Sequence, residues 1–180
     1  MLPLALPQVP PPEWDRFEVV ELARGLVQPL ELALASDGRV FFIELGGRVA
    51  AWLPETRALV EVGRLEVFAE QENGLLGLAL DPDFARNGWL YLLHSPRDFS
   101  GQHLSRFTLV ENHLEPATER VLLAFEEQRD ECCHHAGSLA FGPDGCLFIA
   151  TGDNTNPFGD SEGYAPIDER AGREAFNALD

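Results

Sequence analysis

Lysine is absent from this chain. All 13 basic residues are arginine, set against 30 Asp and Glu, for a formal net charge of −17. Without lysine, neither a Walker-type phosphate loop nor a Schiff base can be built. A charge this negative repels nucleic-acid phosphates and anionic lipid surfaces, so neither is expected as a partner. Cysteine is scarce too. Cys132, Cys133 and Cys146 are too few for a disulfide framework and leave the redox compartment open. No apolar run approaches the roughly 18 residues of a membrane span. No Asn-x-Ser/Thr acceptor occurs. No basic residue precedes Arg16, so the apolar start at Met1–Leu6 lacks the charged front of a signal peptide. Helical periodicity is missing until Ile167–Leu179, where one short helix is expected, weakened by Gly172.

What is present is the composition of a globular β protein, 45% hydrophobic. Prolines 3, 7, 10, 11 and 12 mark residues 1–16 as an extended lead-in, and residues 17–180 read as the folded part. Strands are expected at Phe17–Leu22, Val40–Ile43, Trp89–Leu93, Arg106–Val110 and Cys146–Ala150, each rich in β-branched or aromatic residues. Trp52, Trp89, Phe41, Phe42 and Phe148 are expected in the core.

An internal repeat organises these strands. Leu32–Ile43, Leu78–Leu93 and Leu139–Ala150 each read as apolar strand, Asp-containing turn, apolar strand. Asp37-Gly38 and Asp144-Gly145 suit tight hairpin turns, and Asn87-Gly88 supplies the turn of the longer middle copy. Asp37, Asp83 and Asp144 are expected to form turns and not to bind metal. The copies recur at about the length of a four-stranded blade, so the pattern predicts an all-β fold, a β-propeller with about three blades present. A β-sandwich is the rival, but it does not need turns in phase. Because a propeller ring takes roughly 4–8 blades, the chain is expected to be the N-terminal part of a larger protein, with an uncovered face at each end.

The densest polar cluster is Gln128-Arg-Asp-Glu-Cys-Cys-His-His135, entering the third repeat. A metal site is one reading, although adjacent ligands on extended backbone point to opposite faces. Cys132 and Cys133 fit a vicinal disulfide or a reduced pair. His134 or His135 could act as a general base near neutral pH. The hairpin at Asp144-Gly145 would bring Gly152–Asn154 beside His134–Gly137, placing Asp153 within reach of His134. Glu66, Glu70, Glu126, Glu127 and Glu131 are expected to be solvated surface.

Several motifs, taken in order, resemble the soluble quinoprotein sugar dehydrogenases, the glucose/sorbosone dehydrogenase family. They are Asp37-Gly-Arg-Val40, Asn73-Gly-Leu-Leu-Gly77, Asp81-Pro-Asp-Phe84, His134-His-Ala-Gly-Ser-Leu139, Phe141-Gly-Pro-Asp-Gly145 and Thr151-Gly-Asp153. The resemblance implies a six-bladed propeller and oxidation of an aldose at its C1 hydroxyl, with hydride transfer to pyrroloquinoline quinone (PQQ) assisted by Ca²⁺. It implies His134 as the base, Asp153 as its orienting acid, and Glu72, His135 and Asn154 around the pocket. It also implies a periplasmic or secreted location and an electron acceptor such as a cytochrome. Two positions depart from the pattern: Ser138 stands where the family often has Arg or Lys, and Ala136 where it often has Gly. The family's quinone-binding cations and Ca²⁺ ligands come from later blades, so this piece alone is expected to be inactive. A non-catalytic propeller that binds carbohydrate or a protein partner is the alternative.

Overall fold

The computed structural model describes residues 18–130, 132, 134–152 and 154. The expected lead-in, the helix at Ile167–Leu179, Cys133 and Asp153 lie outside the described residues.

Three antiparallel sheets follow one another along the chain. β1 (Pro29–Leu34), β2 (Val40–Glu44), β3 (Arg48–Leu53) and β4 (Ala58–Arg64) form the first, in chain order. β5 (Leu75–Leu80), β6 (Trp89–His94), β7 (Gly101–Val110) and β8 (His113–Glu126) form the second, with the single-turn helix α1 (Phe84–Asn87) between β5 and β6. β9 (Gly137–Phe141) and β10 (Leu147–Thr151) are the described strands of a third. The leading strands lie side by side, β1 against β5 and β5 against β9. This is the blade arrangement of a β-propeller, and each copy of the sequence repeat forms the first two strands of one blade.

Strand alternation builds the core. In β6, Leu90 and Leu92 face the first sheet and join Phe41, Ile43, Val49 and Val62, all buried. Leu93 faces the other way and joins Ala79, Leu104, Phe125 and Leu139, with Tyr91 beside them. The second blade is therefore apolar on both faces, as a blade between two others must be. On the other face of the first blade, Leu32 and Leu34 of β1 are 66% and 68% exposed among the described residues.

Two expectations need correcting. The strand expected at Phe17–Leu22 is not formed by its described residues, 18–22, and Val19 is exposed. Its β-branched residues favour extended backbone, but a strand also needs a partner edge. Phe148 is 61% exposed, because it lies on the side of β9–β10 turned away from the second blade, where no described element packs. Phe41 and Phe42 are buried as expected, and Trp52 and Trp89 half-buried.

The turns work through side chains. Asp37 and Asp144 each accept the backbone N–H two residues on, from Arg39 and Cys146 at 3.1 and 3.0 Å. In the middle copy, the Asp81 carboxylate accepts from the Asp83 N–H, the Asn87 amide and the Tyr91 hydroxyl, while Asp83 forms the turn through its carbonyl, which accepts the Arg86 and Asn87 N–H groups. The connection is a helical turn closed by Gly88, whose φ of 65° is the left-handed conformation that glycine tolerates.

One buried histidine makes stability depend on pH. His94 Nε2 lies 3.3 Å from Ser105 Oγ and 3.6 Å from a Glu119 oxygen, and the Ser105 hydroxyl donates to Glu119. Burial, helped by the charge of His103 and opposed by Glu119, pulls the imidazole down from 6.5 to about 4. The folded state thus favours the neutral ring. Its contribution is full above about pH 6.5, shrinks as pH falls towards 4, and totals about 3 kcal/mol. Urea unfolding at pH 7 and pH 4.5 should show wild type losing more stability than His94→Gln, by up to that amount. Equal losses in the two proteins would refute it.

Candidate functional site

A cavity of about 530 Å³ opens where the leading strands of all three blades converge. Its polar wall comes from Glu31 on β1, Glu72 just before β5, and Ser138 on β9, with His135 at the edge and Leu30, Leu45 and Leu76 as apolar floor. β1, β5 and β9 present these groups because a leading strand pairs on one side only. The backbone donors on its other side need partners from neighbouring blades. Glu31 supplies one: its carboxylate accepts the Leu78 N–H of β5 and the Ser138 hydroxyl of β9, both at 2.8 Å. It joins all three blades. Glu31→Ala should therefore cost about 1–2 kcal/mol by leaving the Leu78 N–H without its partner, read as a lowered unfolding midpoint. An unchanged midpoint would show the bond to be dispensable.

His134 sits on the loop that enters β9. Its backbone N–H donates to Glu72 Oε2 at 2.7 Å, and its carbonyl accepts the Asn154 N–H at 3.4 Å. The expected juxtaposition of the loop before β9 with the segment after β10 is present: Thr151 pairs with Gly137, and the chain continues alongside to Asn154. Glu72, His134 and Asn154 all have positive φ, at 69°, 59° and 53°. Conformations of this kind carry strain and concentrate at functional sites.

The second histidine is placed differently. The His135 side chain is fully buried, with Nδ1 3.0 Å from Glu127 Oε2. Gln102 Nε2 donates to both Glu127 oxygens, at 2.9 and 3.0 Å, and to the Ala136 carbonyl at 3.3 Å. Glu127, expected on the surface, is thus buried between two donors. At the end of β8 the burial alternates, with Phe125 in, Glu126 out and Glu127 in. Gln102 left no local trace, since it reaches Glu127 from another strand. Asn154 Oδ1 accepts the Gln128 N–H at 2.7 Å, while Nδ2 donates to the Gln128 carbonyl at 3.2 Å. That same Nδ2 lies 3.2 and 3.5 Å from the two nitrogens of His135. Near-equal distances put the amide against the ring face and not in line with one lone pair.

Arg129 anchors the loop from the other side. Its guanidinium lies over Phe68 at 4.4 Å and donates to the Pro96 and Gly101 carbonyls. Burial pulls its pKa down, against the attraction of Glu127. Cys132 is disulfide-bonded, while Cys146 is a free thiol in the exposed β9–β10 turn. No group of three or more potential metal ligands exists among the described residues. No helix among them is long and apolar enough to cross a membrane.

Comparison with known proteins gives this geometry a context. A family model for glucose/sorbosone dehydrogenase matches residues 26–172. The mouse Hedgehog-interacting protein is 32% identical over 167 residues, 80% of this chain and 23% of that protein. Quinoprotein glucose dehydrogenase B of Acinetobacter calcoaceticus is 24% identical over 167 residues, 84% of this chain and 34% of that protein. A solved structure from Thermus thermophilus, assigned as an oxidoreductase of the glucose dehydrogenase kind, superposes with a TM-score of 0.68 at 29% identity. The match covers 74% of this chain and 40% of that one. The chain spans less than half the length of each of these relatives.

Proposed function

The chain belongs to the glucose/sorbosone dehydrogenase family, and from that premise we propose that the whole protein oxidises the C1 hydroxyl of an aldose, with His134 accepting the hydroxyl proton. The observation that carries the reading is the meeting of the His134 loop with Glu72 beside a polar cavity at the convergence of the leading strands. An imidazole takes a hydroxyl proton near neutral pH, and an acid beside it steadies the charge that results. Asp153 is proposed for that second role, and Glu72, His135 and Asn154 as surroundings of the pocket.

Oxidation at C1 sheds a proton from oxygen and a hydride from carbon, and by resemblance PQQ held by the whole protein would supply the hydride acceptor. Among the described residues, the cavity wall holds two carboxylates, a hydroxyl and no arginine. It suits the hydroxyls of a sugar. It does not fit the three carboxylates of the quinone, so no step is assigned to this chain through that group. Ca²⁺, a periplasmic or secreted location and a cytochrome-like electron acceptor belong to the same proposal by resemblance.

The test uses the full-length protein incubated with PQQ and Ca²⁺. Aldose-dependent reduction of a dye is the expected result. A second reading, a non-catalytic propeller that binds carbohydrate or a protein, is favoured by the Ser138–Glu31 bond, which ties up the wall's hydroxyl. It is also supported by the identity to a protein named for an interaction. Absence of dye reduction and of PQQ affinity by calorimetry, with measurable glycan binding, would decide for it.

A further inference from the structure

Two adjacent histidines enter the site, and the structure separates their roles. We infer that Glu127, acting through His135 and braced by Gln102 and Asn154, is a positioning residue that fixes the His134 loop at the cavity. This rests on the proposed role of His134 for its catalytic meaning, but on geometry for the brace itself.

Glu127 is the hub. As a carboxylate it can only accept, and it receives the Gln102 amide on both oxygens. His135 Nδ1, facing the same carboxylate at 3.0 Å, must then carry the proton between them. Both side chains are fully buried, so the bond is shielded from water and counter-ions. It spans the loop: Glu127 stands at its start and His135 at its end. Asn154 closes the arrangement by gripping the Gln128 peptide group at both its N–H and its carbonyl while its amide rests on the His135 ring. Gln102 also holds the Ala136 carbonyl. The residues on either side of His134 in this network are therefore fixed from three elements: β7, the loop itself and the segment after β10.

A carboxylate paired with imidazole Nδ1 is also how a catalytic base is commonly oriented, which would make His135 the base. Burial argues against it. A base must touch the proton it takes, and the His135 side chain has no exposed surface. His134 is half-buried and binds the carboxylate of Glu72 through its backbone.

The test has two parts. In this chain, amide hydrogen exchange across residues 128–136 should quicken at least about tenfold in Glu127→Gln and in His135→Gln, since each breaks the buried pair. Blade 1 should exchange as in wild type in both variants. In the full-length protein, Glu127→Gln should lower kcat by about 10²-fold, the cost of misplacing a reactive group, with little change in KM. The acidic limb of its pH profile should persist, because His134 is still present. Unchanged exchange in both variants overturns the brace. A pH limb that disappears in His135→Gln and survives in His134→Gln overturns the assignment of roles. Should wild type show no dehydrogenase activity, the proposed function fails and hydrogen exchange alone decides this inference.

Discussion

His134→Ala should reduce turnover of the full-length protein by about 10²–10⁴-fold, the usual contribution of a positioned general base. KM should change little, because the proton is taken only as C1 is oxidised. The backbone bonds of His134 to Glu72 and Asn154 should survive, because alanine keeps the N–H and the carbonyl. His135→Ala is the opposite case. Removing a fully buried ring leaves the Glu127 charge with one partner fewer and a cavity beside it, which costs about 3–5 kcal/mol. A dye-reduction assay paired with urea unfolding reads both: His134→Ala loses rate, and His135→Ala loses stability first. If His134→Ala retained wild-type turnover, the assignment of the base would fail.

The repeat made the architecture legible. Three in-phase copies, each with an aspartate at the turn, mark the first two strands of each blade, because hairpin geometry is local and Asp and Gly declare it. The local signal misleads where pairing decides. Residues 18–22 have strand-like composition and no partner strand among the described residues. Phe148 has core-like character but lies on a face with nothing described against it. In the middle turn the extra residues close a helical turn on the Asp83 carbonyl, and the Asp81 side chain reaches Asn87 and Tyr91.

At the site, the sequence shows which loop matters but not how it is held. The His-His-Ala-Gly-Ser-Leu segment and the hairpin after it placed residues 134–137 beside 152–154 in advance, since both ends belong to one β-pair. Glu31, Gln102 and Glu127 were invisible as functional residues. Their partners are far along the chain: Glu31 serves Leu78 and Ser138, and Gln102 serves Glu127. A carboxylate bound for the interior looks, in sequence, like one bound for water. What separates them is the register of the strand before it and a donor supplied by another strand or blade.

Gly152→Ala should be the most disruptive small substitution in the described chain. A methyl group at this position would overlap the His134 carbonyl oxygen and stand 2.6 Å from its carbon and 3.3 Å from the Ala136 nitrogen. All three are backbone atoms, so no side chain can swing aside, and the segment after β10 must part from the loop before β9. That separation breaks the Asn154 N–H bond to His134 and pulls the Asn154 amide from the Gln128 peptide group and the His135 ring. Overpacking of this kind costs about 3 kcal/mol, and a chain of this size should melt about 10 °C lower as a result. Gly142→Ala is the control. Its added methyl would also come close, 2.7 and 2.8 Å from Asp144 and Phe148, but the atoms met are the ends of exposed side chains, which can shift at the expense of the Asp144 bond to the Cys146 N–H. It should cost less than about 1 kcal/mol. Calorimetry of the two variants, with hydrogen exchange across residues 128–136, compares a clash against backbone with a clash against side chains. Equal melting temperatures would mean that the His134 loop is not held against the end of β10.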